Sequence, residues 1–322
     1  MDLCLALDIG GTKLQAGLVT SAGEIVSGSL RRVATPTTAD ADVLFAAVAA
    51  LLATVEAQVP EEAAVAVCGV GAGGPMDRAG EHVSPLNIPA WRGFPLRRRL
   101  VELLQLPVAV DNDAKALAVA EGWRGAARGV GAYLGMVVST GVGGGLVLDG
   151  RLLQGAAGNA GHVGHVVVEP EGRRCSCGGR GCLEAEASGT AIAAITGRPA
   201  AEAGPQDVER CGRLVGRAVA SVANLLDLQL AVVAGSVALG FGPPFFEAAN
   251  AEVQRRCRLD FSRCTRVVPA GLGADGPLVG AGAVGWDHLG ALEPLGPQRP
   301  PGPEQYRGAA DHLRCLAPRH RP

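Results

Sequence analysis

His165, Cys175, Cys177 and Cys182 form a His-x9-Cys-x-Cys-x4-Cys series. Three thiolates and one imidazole are the donor set of a closed tetrahedral zinc site, with no position left open for substrate. Glu171-Gly172-Arg173 and Gly178-Gly179-Arg180-Gly181 lie between these residues. Both are tight-turn sequences that let distant ligands converge. The series is expected to hold a structural Zn²⁺.

Two Gly-rich stretches suit phosphate. In Asp8-Ile9-Gly10-Gly11-Thr12-Lys13, the glycines let backbone N–H groups approach phosphate oxygens. Thr12 adds a hydroxyl and Lys13 a positive charge, and Asp8 can help hold hydrated Mg²⁺. No helix opens after it and no GK[ST] follows, so it is neither a Walker A loop nor a Rossmann fingerprint. Ser139-Thr140-Gly141-Val142-Gly143-Gly144-Gly145 is the second such stretch. Gly235-Ser236 and Gly271-Leu272-Gly273 also follow apolar runs. Each could let an adenine ring lie against backbone, and each also reads as a plain turn. Asp111-Asn112-Asp113 follows the run Val108 to Val110, which places carboxylates at a strand end, where α/β sites gather. A hydroxyl attacking phosphorus needs a base, and Asp113 is the candidate. Asn112 would bind neighbouring hydroxyls. Asx residues also cap helices, and the two roles are compatible.

The elements that must position these residues are legible as apolar runs. Leu3 to Leu7, Leu14 to Val19, Val65 to Val70, Val108 to Val110, Tyr133 to Val138, Leu146 to Leu148 and Leu230 to Val233 are of strand length. A third strand is expected after the turn Ala22-Gly23. Helices are expected at about 41–58 and 207–227; in the latter, Val208, Cys211, Val215, Val219, Val222 and Leu226 share a face. A strand followed by a Gly-rich turn with a hydroxyl occurs in each half. The chain therefore reads as a pseudo-repeat of one α/β lobe with a cleft between the copies. The expected division is 1–113 for a small lobe, 114–290 for a larger one, and 291–322 for a Pro- and Arg-rich tail.

Composition narrows the function. The 322 residues are 48% hydrophobic and 19% charged, with a net charge of −2. That is globular and carries no nucleic-acid or membrane footprint. The longest apolar run, Val43 to Val55, is too short to span a bilayer. No secretory signal precedes the first strand, so a cytoplasmic protein without a disulfide framework is expected. The other cysteines, Cys4, Cys68, Cys211, Cys257, Cys264 and Cys315, are scattered.

Taken together, these residues resemble the ROK family (repressors, open reading frames and sugar kinases) of the actin-like ATPase superfamily. The most specific piece is Gly158-Asn159-Ala160-Gly161-His162-Val163-Gly164-His165, continuing through the cysteines to Leu183-Glu184 and Ala187-Ser188-Gly189. The resemblance implies a two-lobe actin-like (ribonuclease H-like) fold. It implies ATP phosphates on Asp8, Gly10, Gly11, Thr12, Lys13, Ser139, Thr140, Gly141 and Gly143. It implies Asp113 as base, with Asn112, His165 and Glu184 around a sugar and His165 also on zinc. Gly74, in Gly73-Gly74-Pro75, and Asn87 look like the small-lobe side of that sugar site. The family's glucokinases usually carry a sugar-binding Glu where this chain has His162. The Gly-His-x-Gly-His form, like Gly235-Ser236, is similar to its N-acetylmannosamine kinases. Lys115 stands where many relatives have Asn. The expected activity is ATP- and Mg²⁺-dependent phosphorylation of a hexose or N-acetylhexosamine by a homodimer. The family's repressors carry a winged helix before the first phosphate loop. Only seven residues precede Asp8, so a kinase is expected over a sugar-responsive regulator.

Overall fold

The computed structural model describes residues 1–292 and 295–296. Its strands are β1 (Asp2–Ile9), β2 (Lys13–Thr20), β3 (Arg31–Ala34), β4 (Ala64–Ala72), β5 (Val108–Asn112), β6 (Tyr133–Val138), β7 (Val142–Leu148), β8 (Arg151–Leu152), β9 (Leu230–Ala234) and β10 (Arg266–Pro269). Its α-helices are α1 (Ala41–Glu56), α2 (Leu96–Leu104), α3 (Asp113–Arg124), α4 (Leu183–Ala187), α5 (Gly189–Thr196), α6 (Pro205–Leu226), α7 (Ser236–Phe241), α8 (Pro243–Arg256) and α9 (Gly276–His288).

One compact unit comprises Met1–Gly125, Leu152–Gly161 and the segment that starts at Gly271. Its sheet has the order β3-β2-β1-β4-β5. β2 runs antiparallel to β1 and β3, while β4 is parallel to β1 and β5. Leu3, Leu5 and Leu7 are fully buried, and so are Cys4 and Ala6 on the opposite face. That is why β1 reads as a continuous apolar run rather than an alternating one. α1 starts where the Asp40 carboxylate accepts from the Asp42 and Val43 amides. It buries Leu44, Val48, Leu51, Leu52 and Val55 against the first core. α9 lies against this sheet at glycines. A Cβ on Gly69 would fall 2.0 Å from the Ala281 carbonyl oxygen, and one on Gly285 would fall 2.5 Å from the Cys4 sulfur.

The other unit comprises Ala126–Arg151 and His162–Ala270, with Leu295 and Gly296. Its sheet has the order β10-β9-β6-β7-β8. Strands β6 to β10 thus take the places of β1 to β5 in turn, and β6, β7, β9 and β10 also keep their partners' relative directions. The expected repeat of one lobe is present in the topology. α6 and α8 pack closely: a Cβ on Gly212 would lie 2.3 Å from the Phe245 carbonyl oxygen.

Three expectations need adjustment. The third strand does not follow Ala22-Gly23 directly. Ile25 makes only an isolated bridge to Val19, and the chain turns through Gly28 at φ +77°. The Leu18 amide bonds the Ser29 hydroxyl there, and pairing resumes at Arg31. Second, Gly143, Gly144 and Gly145 are not in a turn; they pair with Val137, Met136 and Gly135 inside β7. Gly164 passes the start of β7 so closely that its own Cβ would sit 2.3 Å from the Val142 carbonyl oxygen. Third, the first unit does not end at residue 113 but continues through α3 and is completed by α9. The tail from residue 297 lies outside the described residues, as does Cys315. Cys4, Cys68, Cys211 and Cys257 are buried free thiols, whereas Cys264 is disulfide-bonded. Among the described residues, no helix is long and apolar enough to cross a membrane.

Candidate active site

In the first unit, the chemistry-bearing residues gather at the C-terminal ends of β1, β4 and β5. The β1–β2 turn is closed by the Gly10 amide on the Lys13 carbonyl, 3.0 Å. Thr35 braces it from beyond β3, with its hydroxyl on the Gly10 carbonyl at 2.7 Å and its amide on the Thr12 carbonyl at 3.1 Å. Nothing in the sequence marked Thr35. Gly11 must be glycine, since a Cβ would press within 2.7 Å of the Asn87 amide. Gly73 touches the same side chain, with Asn87 Oδ1 3.3 Å from its Cβ position. The Leu86 amide donates to the Gly74 carbonyl, and the Gly74–Pro75 peptide is cis. Asn87 and Gly74 therefore stand beside the β1–β2 turn.

Asn112 caps α3, its Oδ1 accepting from the Ala114 and Lys115 amides at 3.1 and 3.3 Å. Asp113 opens the helix and accepts from Ala114 N at 2.8 Å. A Cβ on Gly71 would lie 3.6 Å from the Asp113 Cα and 3.7 Å from Asp8 Oδ1. A bare glycine thus lies between the Asp8 carboxylate and the Asp113 backbone. Asp8 is 7% exposed. Burial, then the negative charge of Asp113, pushes its pKa up to about 7, against the opposing pull of Lys13 and a hydrogen bond from Gln15.

In the second unit, the turn after β6 is Ser139–Gly141. The Ser139 amide bonds the Gly141 carbonyl, and the Gly189 amide, at the start of α5, bonds the Ser139 carbonyl at 2.7 Å. The Thr190 hydroxyl bonds the Thr140 carbonyl at 3.0 Å. Gly235, at φ +100°, passes so near β6 that a Cβ would meet the Val138 carbonyl oxygen at 2.2 Å. That approach brings Ser236 Oγ to 2.9 Å from Ser139 Oγ. The two nucleotide candidates of this unit, Ser139–Gly141 and Gly235-Ser236, are therefore neighbours. Glu184 supports the turn: its Oε2 accepts from Val142 N at 2.9 Å.

His165, Cys175, Cys177 and Cys182 place one donor atom each within 4.8 Å of one another. Cys175 Sγ is 3.6 Å from His165 Nδ1, and Cys177 Sγ is 3.8 Å from Cys182 Sγ. Tetrahedral zinc with Zn–S bonds of about 2.3 Å sets sulfurs about 3.8 Å apart, so the donors fit such an ion with little movement. Gly181, at φ +69°, gives the loop its bend, and Gly179 leaves room for the Cys177 and Cys182 sulfurs. His165 presents Nδ1 to the thiols, and the exposed His162 ring lies 6.1 Å away.

Two charges of α3 are buried with partners that the sequence did not indicate. Glu121 accepts from the Gly271 and Leu272 amides at 3.0 and 3.1 Å, fixing the Gly271–Gly273 turn. Lys115 is 1% exposed and binds Asp111 at 3.1 Å. The available signal was a helix made almost wholly of buried small residues, in which a charge must have a partner.

The model of the ROK family matches residues 4–286. The chain belongs to the ROK family. Among ROK relatives it is 37% identical over 253 residues to an N-acetylmannosamine kinase of Escherichia fergusonii, covering 74% of this chain and 84% of that one. The ROK hexokinase of Thermus thermophilus superposes with a TM-score of 0.77 at 32% identity, over 89% of this chain and 99% of that one. A ROK glucokinase of Streptomyces griseus, solved with glucose and AMPPNP, gives 0.76 at 30%, over 88% and 99%. This ROK chain thus has the two-lobe actin-like ATPase fold.

Proposed function

We propose that this chain is an ATP-dependent sugar kinase acting on the 6-hydroxyl of a hexose or N-acetylhexosamine, N-acetylmannosamine before glucose. The observation that carries the reading is the pair Asp8 and Asp113, brought near each other across Gly71 at the C-terminal strand ends of the first sheet. Asp113 takes the proton of the attacking hydroxyl as its oxygen bonds to the γ-phosphorus and the bond to ADP breaks. Asn112 and Asn87 orient the sugar. Backbone amides of Gly11, Thr12, Thr140 and Gly141 donate to phosphate oxygens, Lys13 adds charge, and Gly235-Ser236 receives the adenosine. Bound Mg²⁺ would neutralise phosphate charge, its water shell held through Asp8. The test is a phosphorylation screen of glucose, mannose, N-acetylglucosamine and N-acetylmannosamine with ATP and Mg²⁺. Transfer to none of them would overturn the reading.

The preference among sugars rests on His162. An imidazole can donate or accept without carrying the charge a Glu would bring, which suits a neutral acetamido group. His162→Glu should shift relative kcat/KM towards glucose by about tenfold, the worth of one charge-assisted hydrogen bond. An unchanged ratio between glucose and N-acetylmannosamine would show that His162 does not set specificity.

Zn²⁺ on His165, Cys175, Cys177 and Cys182 would fix the imidazole's orientation and leave Nε2 for a sugar hydroxyl. Cys177→Ala should then lower zinc content and raise the sugar KM together, as read by metal analysis and kinetics. Purified wild-type protein without zinc would sink this assignment.

A further inference from the structure

The segment Leu152–Gly161 belongs to the first unit, yet none of its residues is buried. Among the described residues, it adds none to the buried apolar core. One side borders a cavity of about 350 Å³ whose walls include Asp111, Gln154 and Gly158. Polar ties hold the segment instead. Asn159 Nδ2 donates to the Met76 carbonyl at 3.0 Å. A second tie is Lys115, one turn along α3 from Asn112. Its Nζ binds Asp111 Oδ1 at 3.1 Å, the Gly158 carbonyl at 3.0 Å, and Gln154 Oε1. Gln154 Nε2 in turn donates to Asp111 Oδ2 at 3.3 Å.

We propose that Lys115 is a positioning residue for the sugar. Its buried ammonium fastens Leu152–Gly161 to the Asp111-Asn112-Asp113 turn. All three ammonium hydrogens have acceptors at these sites, which is the condition for keeping such a charge out of water. One acceptor, Asp111, directly precedes the proposed sugar ligand Asn112 and lies two residues before the base. The other two, Gln154 and Gly158, lie in the segment whose next residue is His162. A single ammonium therefore holds both the backbone that leads into Asn112 and the segment that precedes His162 in the chain. This inference rests on the sugar-kinase reading for its effect on substrate, and on the geometry alone for its effect on the segment.

The test uses Lys115→Met and, because the single change leaves the half-buried Asp111 without its cation, the double variant Asp111→Asn/Lys115→Met. Hydrogen exchange by mass spectrometry should show peptides across 152–161 exchanging at least tenfold faster in both. The Ala160 amide, bonded to the Gln154 carbonyl at 3.1 Å, is the reporter. Peptides of the zinc loop should not change. In whichever variant stays folded, the sugar KM should rise about tenfold or more while the ATP KM stays within about twofold. A purely structural role would lower the melting temperature and leave the sugar KM of the folded protein alone, which would overturn the proposal. Unchanged exchange over 152–161 would overturn it as well. If the wild-type protein phosphorylates none of the four sugars, the kinase reading fails, and the exchange measurement still decides whether Lys115 holds the segment.

Discussion

Asp113→Asn is expected to lower turnover by at least about 10²-fold while leaving sugar binding largely intact. The carboxylate stands at the first position of α3, where its Oδ1 already accepts from Ala114 N. An asparagine carbonyl keeps that bond and keeps the helix start. What it loses is the ability to accept a proton from a hydroxyl. Steady-state kinetics should show the fall in kcat, and calorimetric titration should show a sugar Kd within a few-fold of wild type. Near-normal turnover would remove Asp113 from the chemistry.

Asp8→Asn should stabilise the fold at neutral and higher pH while impairing catalysis. Asp8 releases its proton at about 7 in the folded chain, against an ordinary 3.8. The folded state therefore holds this proton more tightly than the unfolded state. The associated stability is fully present below about pH 4 and is lost as pH rises through about 7. Above that, the native protein carries a buried carboxylate facing Asp113. Asparagine avoids this charge and still accepts the Gln15 hydrogen bond. Denaturation without added Mg²⁺ or nucleotide should show wild type and variant close at pH 4. At pH 8 the variant should lead by on the order of a few kcal/mol. A gap independent of pH would rule out the buried charge as its cause. The expected trade, a firmer fold with poorer turnover, is the usual mark of a charge kept for function.

Much of the fold could be read from residue order because its strands are buried on both faces. Runs such as Leu3–Leu7 and Tyr133–Val138 need no partner to be recognised. The doubling was visible because the same strand-then-glycine phrase occurs twice. Glycine itself was the source of error. Gly143–Gly145 and Gly10-Gly11 look alike by type, yet the former lie inside β7. Only the pairing with β6 tells these strand glycines from turn glycines. The same limit applies to the site. The cysteine series could be read because its ligands are close in sequence. The partners of Lys115 and Glu121 could not, since they lie far along the chain, at Gln154 and Gly158 for one and at Gly271 and Leu272 for the other. Thr35 reaches the first turn only because β3 pairs where it does.

The packing of α9 bears on how the polypeptide is made. Gly69 in β4 and Gly285 in α9 leave each other no room for a methyl group, and α9 is the last helix of the described chain. A nascent chain therefore has all five strands of its first sheet long before the helix that covers them has been synthesised. Until His288 clears the ribosome, Cys4, Val67 and Ala6 face solvent or a chaperone rather than Trp286, Leu278 and Ala281. The first sheet to be translated is thus among the last parts to reach its final packing, and a ribosome that stalls before residue 276 releases a chain with that face bare.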